Sequence, residues 1–329
     1  MLVASPSRWD ETCFSVPAVR ALAASGLRMG ILCPEEQSEF WNEVGNVSVH
    51  GFSPGAKRKV LASQIMGQWE ASLAWDLDDA AEVFELAKIP KRLGPALAGV
   101  KKRFTHPVAA AEGPLEHRVR FYLGLVEELG IPTQQAAYFA PADLGARTST
   151  SAVLLCPESD FGLNHQWPQE RWEALARRLL AQGRQITIVG LSTKGGLARS
   201  LAASLAASLE GAEFVHLPSF RGSLPFLADY FLVVAADGSL PHLAAFAGAT
   251  CLTLFGPNDP TWKRPLGTQH RVVRRHVECA PCLLSKCPLD LRCQFELSLD
   301  QVIGAMNDLL VENGPGTSPS TPVVRISPQ

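Results

Sequence analysis

Short apolar runs of strand length alternate with helix-length segments along most of this chain. The clearest run, FLVVA at residues 231–235, is typical of a strand that is buried on both faces of a parallel sheet. A helical pattern follows over residues 241–247, Gly248 ends it, and residues 251–255 form the next apolar run. Strands that alternate with helices in this way predict an α/β protein with parallel sheets.

The alternation falls into two groups of elements. Residues 140–150 (APADLGARTST) are small, polar and proline-bearing, which predicts a linker. We therefore predict an N-terminal domain over residues 1–145, a C-terminal domain over residues 151–313, and a disordered Gly/Pro/Ser/Thr-rich tail over residues 314–329. The predicted strands are 1–4, 29–33, 47–52, 152–156, 185–190, 214–217, 231–235 and 251–255, and the predicted helices are 14–24, 80–87, 170–182, 195–209, 241–247 and 297–313.

Polar loops follow two consecutive predicted strands of the second group. Asp237, Gly238 and Ser239 follow the first strand, and residues 256–260 (GPNDP) follow the second. The carboxyl edge of an open parallel sheet is where ligands bind, and a helix N-terminus suits a phosphate. The simpler alternative is that Asp237 only caps the helix and that His242 is packed within it.

Length, charge and composition exclude several classes of protein function. The chain has 329 residues, which is room for two domains, and its net charge of −2 gives no basic footprint for nucleic acid. No apolar run has the roughly 18 residues that a membrane span needs, and the N-terminus lacks the pattern of a secretory signal. We therefore expect a cytoplasmic protein with reduced thiols. Peripheral contact with the cytoplasmic face of the inner membrane is an alternative that the sequence leaves open.

The polar loops carry a resemblance to a known family. DGSLPHLAA at residues 237–245, followed by FGPNDP at residues 255–260, resembles the D-[ST]-G-x-x-H-L-x-A-A and F-G-P-[TN]-x-P motifs of glycosyltransferase family 9, the ADP-heptose:lipopolysaccharide heptosyltransferases. The resemblance implies the GT-B architecture, in which two facing Rossmann-like domains with parallel sheets enclose an interdomain cleft. It also implies inverting, metal-independent transfer of a heptose from ADP-heptose to the lipopolysaccharide inner core, with no catalytic cofactor.

The resemblance also assigns roles to residues that bind the donor. Asp237 would bind the sugar hydroxyls, the backbone of Gly238 and Ser239, with His165, would bind the diphosphate, and His242 would support their loop. Gly190, at the end of a predicted strand, would lie near the nucleotide base.

A second stretch supplies the candidate base. Residues 5–22 resemble the family's N-terminal motif, S-P-N-W-L-G-D and then P-A-x-x-A-L, whose aspartate is regarded as the catalytic base. Counting back from Pro17 puts Glu11 at the place of the aspartate and Asp10 at the place of the glycine. Glu11, and after it Asp10, is therefore the predicted base. The alternative is a pair of solvated acids that favour the dipole of the following helix.

The loop PESDFGLNHQWP at residues 157–168 departs from the family pattern P-G-A-x-x-G-P-A-K-x-W-P. His165 replaces a lysine that the family uses on the sugar or diphosphate, Gln166 stands where arginine is common, and Glu158 replaces a glycine. Two alternatives therefore stay open: a catalytically impaired relative that acts as a binding protein, and a transferase that uses a different nucleotide sugar.

Residues 72–77, 89–94 and 223–230 resemble two strands and a helix of the family. The resemblance also implies a helix over residues 116–130, which resemble the family segment H-x-x-x-x-Y-x-x-L-L-x-x-L-G. His117, Arg118 and Arg120 stand at its start. They either face anionic groups of the acceptor or form an exposed polar face.

Half of the eight cysteines stand close together, as Cys279, Cys282, Cys287 and Cys293. The spacing C-x2-C-x4-C-x5-C fits a structural zinc site, which would leave no open position for catalysis. Redox-labile disulfides and packed thiols are the alternatives.

Overall fold

The computed structural model describes residues 1–76, 79–96, 103–110, 116–145, 150–192, 196–206 and 212–312. The predicted disordered tail at 314–329 lies outside the described residues. The described chain forms two six-stranded sheets with helices around them, and every strand pairing is parallel. This confirms the predicted α/β class and its GT-B architecture.

The first sheet is built from the N-terminal part of the chain. Its strands are β1 (Leu2–Ala4), β2 (Gly30–Pro34), β3 (Ser48–Phe52), β4 (Ala71–Leu73), β5 (Lys91–Pro95) and β6 (His106–Val108). They lie in the order β3-β2-β1-β4-β5-β6. The helices are α1 (Trp9–Ala24), α2 (Ser38–Asn42), α3 (Arg58–Ile65), α4 (Asp79–Leu86) and α5 (Val119–Glu127), with short 3-10 turns at Glu35–Gln37 and Ala136–Phe139.

The second sheet begins at Thr150, inside the predicted linker. Its strands are β7 (Thr150–Cys156), β8 (Ile186–Gly190), β9 (Ala212–His216), β10 (Tyr230–Ala236), β11 (Thr250–Phe255) and β12 (Arg271–Arg274), in the order β12-β11-β10-β7-β8-β9. The helices are α6 (Gln169–Ala181), α7 (Leu197–Ala206), α8 (Ser223–Ala228), α9 (Leu240–Phe246), α10 (Pro260–Lys263), α11 (Arg292–Phe295) and α12 (Leu299–Glu312), with a 3-10 turn at Leu163–His165. The domain boundary between 145 and 151 stays a prediction.

The strand orders place one crevice in each domain. Strand order reverses between β1 and β4 in the first sheet and between β7 and β10 in the second. Ligands of open α/β sheets bind in the crevice beyond the carboxyl ends of the strands at such a reversal. The loops after β1 and β10, which the motif analysis singled out, both end in these crevices.

Helix α1 begins earlier than predicted. The apolar spacing predicts a helix that begins at residue 14, but α1 starts at Trp9. Asp10 and Glu11 therefore lie in its first turn, where carboxylates interact favourably with the helix dipole. Towards the C-terminus, Ser298 caps α12: its Oγ accepts from the Gln301 N–H at 3.2 Å, and Gln301 Oε1 accepts from the Ser298 N–H at 3.1 Å.

The two domains share an apolar core. One cluster of buried side chains includes Phe14 of α1, Val233 of β10, and Leu243 and Phe246 of α9. Phe40 of α2 packs on Phe246, with ring centroids 4.7 Å apart. Because α1 begins directly beyond the crevice of the first sheet and packs on α9 of the second, the core holds the two crevices next to each other.

A pair of glycine substitutions tests the packing of the first sheet. A Cβ added at Gly94 in β5 would overlap the buried ring of Phe104, whereas a Cβ at Gly124 in α5 meets nothing within 4 Å. We expect Gly94→Ala to destabilise the protein by about 1–3 kcal/mol through overpacking. Gly124→Ala should stabilise it by about 0.5–1 kcal/mol through helix propensity. Urea unfolding of both variants measures these effects, and a neutral Gly94→Ala would contradict the packing.

Candidate active site between the domains

A cavity of about 600 Å³ lies between the two crevices. The loop after β1 and the first residue of α1 form one wall, and loops of the second domain form the other. The lining residues are Ser7, Arg8, Trp9, Asp160, Phe161, His165, Asn258, Trp262, Lys263, Leu283, Leu284 and Ser285.

Asp10 is fully buried and held by two cations. Arg8 donates to both of its carboxylate oxygens at 3.0 Å, and Lys263 Nζ lies 3.0 Å from Oδ2. Burial alone would raise the pKa of Asp10, but the charges of Lys263 and Arg8 outweigh it and lower the pKa to about 2. Asp10 is therefore a buried anion that joins the domains, and it is poorly suited to take a proton.

Glu11 is the more accessible of the two acids. Its Oε2 accepts from Arg118 Nε at 2.8 Å and from the Tyr122 hydroxyl at 2.6 Å, and its Oε1 lies 3.3 Å from Lys263 Nζ. Burial raises the pKa of Tyr122 well above its usual value, which keeps this hydroxyl a donor. Glu11 also lines a second cavity, of about 240 Å³, with Trp75 and Asp76 at the reversal point of the first sheet.

The basic residues at the start of the α5 segment separate into two roles. Arg118 faces the site, since it binds Glu11 and its backbone N–H donates to Trp262 O at 2.8 Å. His117 contacts the second domain through Arg264 O at 2.8 Å. Arg120 instead pairs with Glu127 on the exposed face.

Asp237 lies behind the cavity wall. It is fully buried, and its Oδ2 contacts His165 Nδ1 at 2.9 Å and accepts from Asn258 Nδ2 at 2.7 Å. Burial raises the pKa of Asp237, against the opposing effect of the His165 contact. Asp237 does not line the cavity, whereas His165 and Asn258 do. It therefore reaches the cavity through these two side chains.

The backbone turn at Gly238 and Ser239 already holds a carboxylate. The Ser239 N–H donates to Asp160 Oδ1 at 2.7 Å, and the Ser239 hydroxyl donates to Asp160 Oδ2 at 2.6 Å. This is the turn that the family resemblance predicts to bind the donor diphosphate. In this conformation a diphosphate could reach the Ser239 N–H only if Asp160 moved away.

The Glu158 side chain does not point into the predicted phosphate site, although Glu158 stands at a glycine position of the family motif for this loop. Its carboxylate accepts three backbone N–H groups, from Leu191 at 2.6 Å, Ser192 at 2.8 Å and Ala198 at 3.1 Å. These groups follow Gly190 at the end of β8. Glu158 therefore binds the segment that was predicted to lie near the nucleotide base.

His242 belongs to the domain interface. Its ring stacks edge-to-face on Phe14, with centroids 4.8 Å apart, and neither ring nitrogen has a hydrogen-bond partner among the described residues. Burial lowers the pKa of His242 to about 3, so the ring is neutral. Packing on the other domain, rather than support of the Gly238 loop, is what the structure shows for this residue.

The cysteine cluster does not form a metal site as placed. Cys279, Cys282 and Cys287 are half-buried and Cys293 is buried, all four as free thiols. Burial, with the neighbouring three thiols, raises the pKa of Cys293 to about 11. Over the described ranges, no group of three or more His, Cys, Asp or Glu side chains is arranged so that it could hold a metal ion.

Sequence reasoning missed Lys263, Asp160, Arg8 and Asn258 as site residues. Asn258 stands inside the FGPNDP motif and Lys263 three residues after it, so their loop was flagged although the side chains were not. A lysine next to a polar loop is normally predicted to be exposed to solvent. Lys263 is only 6% exposed because the acids of the other domain cover it.

Comparisons with known proteins agree with this architecture. The family model of glycosyltransferase family 9 (heptosyltransferase) matches residues 109–292, more than half of the chain. A lipopolysaccharide heptosyltransferase 1 of Pseudomonas aeruginosa is 34% identical over 191 residues, which cover 56% of this chain and 51% of that protein. The match thus spans about half the length of this relative.

Solved structures show the same fold. The ADP-heptose lipopolysaccharide heptosyltransferase II of E. coli superposes with a TM-score of 0.78 at 18% identity, covering 94% of this chain and 98% of that one. The E. coli heptosyltransferase WaaC, solved with ADP, gives 0.73 at 18% identity, covering 94% and 99%. The chain belongs to glycosyltransferase family 9, the heptosyltransferase family.

Within the described ranges, no helix is both long and apolar enough to cross a bilayer.

The lowered pKa of Asp10 predicts a pH dependence of stability. A carboxyl group whose pKa falls from 3.8 to about 2 on folding stabilises the native state above pH 4, and this contribution disappears as the pH falls towards 2. We expect wild type to lose on the order of 2 kcal/mol more than Asp10→Asn between pH 6 and pH 2. Urea unfolding at several pH values measures the difference; parallel pH profiles would contradict the ion pairing.

Proposed function

We propose that this protein transfers a heptose from ADP-heptose to the inner core of lipopolysaccharide, with inversion and without a catalytic metal. Membership of the family and the names of its relatives support this reaction class. The observation that carries the proposal is the position of Glu11: it lines the smaller cavity, which shares Ser7 and Arg8 with the larger one, and its Oε1 lies 3.3 Å from Lys263 Nζ of the other domain. Because the acceptor is a membrane glycolipid, we place the reaction at the cytoplasmic face of the inner membrane.

Glu11 acts as the general base in this proposal. The acceptor hydroxyl gives its proton to the Glu11 carboxylate while its oxygen forms a bond to the anomeric carbon of the donor. The bond from that carbon to the diphosphate oxygen breaks, and its electron pair leaves with ADP. Arg118 and Tyr122 hold Oε2, which orients the carboxylate for the transfer.

The departing diphosphate requires positive charge. Arg8 and Lys263 line the cavity, and His165 and Asn258 present hydrogen-bonding groups that Asp237 orients from behind. A diphosphate that displaced Asp160 would also meet the Ser239 N–H. Gly190 and the neighbouring segment that Glu158 anchors form the proposed wall near the nucleotide base.

Substitution of Glu11 tests the proposal. With ADP-heptose and truncated lipopolysaccharide, we expect Glu11→Gln to lower kcat by at least 100-fold, because the amide cannot accept the proton. The matched control is Glu127→Gln, which removes another arginine-paired carboxylate, on the far side of α5 from the site. Mass spectrometry of the product measures turnover. Near-normal turnover by Glu11→Gln would refute the assignment of the base.

A catalytically impaired binding protein, or a transferase with another nucleotide sugar, is the alternative function. Two observations favour it: Asp160 occupies the Ser239 turn, and His165 is engaged by Asp237. Tight ADP binding by wild type without any heptosylated product supports this alternative. Product formed from another nucleotide sugar supports the changed donor.

We also propose, separately, that the four clustered cysteines hold a structural zinc ion. Their spacing and the electrostatic effect of three of them on Cys293 support it. Zinc would have to draw the thiols closer together than they are here.

Metal analysis tests the zinc proposal. We expect about one equivalent of zinc per chain, measured together with iron because four thiolates suit either metal. Cys282→Ser should release the ion and lower the melting temperature, whereas Cys33→Ser, at a buried thiol of the other domain, should retain it. Metal-free protein with unchanged stability would exclude a structural metal.

A further inference from the structure

We infer that Lys263 is a shared cation: it pairs with Glu11 when the cleft holds no donor and with the donor diphosphate when the donor is bound. This inference rests on the proposed function, because it assumes that a nucleoside diphosphate sugar enters the cleft. It adds a catalytic residue that neither motif resemblance nor family membership identifies. It also gives a physical link between donor binding and the activation of the base.

The position of Lys263 allows both pairings. It is the last residue of α10, and its ammonium lies 3.0 Å from Asp10 Oδ2 and 3.3 Å from Glu11 Oε1. The same side chain lines the cavity of about 600 Å³. Its ammonium therefore lies between Glu11 and the space that the donor diphosphate would occupy. A lysine has three donors on a flexible stem, and it can therefore exchange partners without backbone movement.

The cavity itself favours an anion. Arg8 and Lys263 are the cationic side chains among its lining residues, and Asp160 is the acidic one. Both oxygens of Asp160 are already bonded to Ser239. A diphosphate at this place would therefore meet two cations, with charge-assisted hydrogen bonds that are stronger than neutral ones.

The two acids that hold Lys263 differ in what they lose when it moves. Asp10 keeps both hydrogen bonds from Arg8 and stays compensated. Glu11 keeps Arg118 and Tyr122 on Oε2, but Lys263 is the partner of its Oε1 among the described residues, at the longest distance of the set. Departure of Lys263 would thus free one oxygen of Glu11 while the other stays fixed.

The surroundings keep the ammonium at the interface. The charged and titratable groups that interact with it are Asp10, Glu11, His242 and Asp237. The rings of Trp262 and Phe161 lie 4.9 and 5.8 Å from Nζ, which favours a cation at this point. The net effect is an ammonium held between carboxylates on one side and the donor cavity on the other.

Competition for one cation makes a specific prediction for ADP binding, measured by calorimetry. Lys263→Met should weaken ADP binding by about tenfold or more, and Lys263→Arg should restore most of it. Glu11→Gln should strengthen ADP binding about two- to fivefold, because it removes the competitor of the diphosphate. In the Lys263→Met background the same Glu11→Gln change should have no effect. Lys59→Met, at an exposed lysine of α3, is the matched control.

The double variant separates this inference from a general charge effect. If Glu11→Gln strengthens ADP binding equally with and without Lys263, or does not strengthen it at all, the inference is wrong. If wild type binds ADP and Lys263→Met binds it as tightly, the inference also fails while the proposed function stands. If wild type does not bind ADP at millimolar concentration, the proposed function fails and the inference with it. Should Lys263→Met not fold, Asp10→Asn/Lys263→Met, which removes the uncompensated buried charge, takes its place.

Discussion

A buried ammonium and a buried carboxylate, 3.0 Å apart, join the two domains at the cleft through Lys263 and Asp10. Both side chains have given up most of their hydration and need charged partners; Asp10 also has Arg8, and Lys263 also has Glu11. The pair therefore restricts how the crevices can stand relative to each other. The cavity, the position of Glu11 and the orientation of Arg8 all depend on this contact, because each of them touches one of its two members.

The second domain satisfies its own anion-binding backbone groups. Asp160 accepts from the Ser239 N–H, and Glu158 accepts two N–H groups just after β8 and one at the beginning of α7. Both carboxylates come from the loop after β7, and both occupy backbone donors of the kind that bind phosphates in open α/β folds. The proposed donor site is thus organised around internal anions in this conformation, and a donor diphosphate would have to exchange with one of them.

The sequence predicted the elements whose signal is local. The all-apolar strand β10 and the capped helix α12 were found because their patterns do not depend on distant residues. Strands β6 and β12, HPV and RVVR, were missed because short edge strands carry few apolar positions. Motif counting located Glu11 and Asp10 but could not tell which was accessible. The difference in accessibility between the two acids depends on Lys263, some 250 residues away in the chain. The partners of Glu158 and Asp160 likewise depend on the folding of the second domain.

The contact of Glu158 with the loop before α7 also limits how this chain can vary. Gly196 has a φ of +119°, and a Cβ there would collide with the Glu158 carboxylate. A side chain at 196 would be strained at this φ and would also meet that carboxylate, and a glycine at 158 would leave three amide hydrogens without this acceptor. The glutamate at 158 and the glycine at 196 therefore depend on each other, and replacing either one alone removes the carboxylate from these amide groups or displaces it.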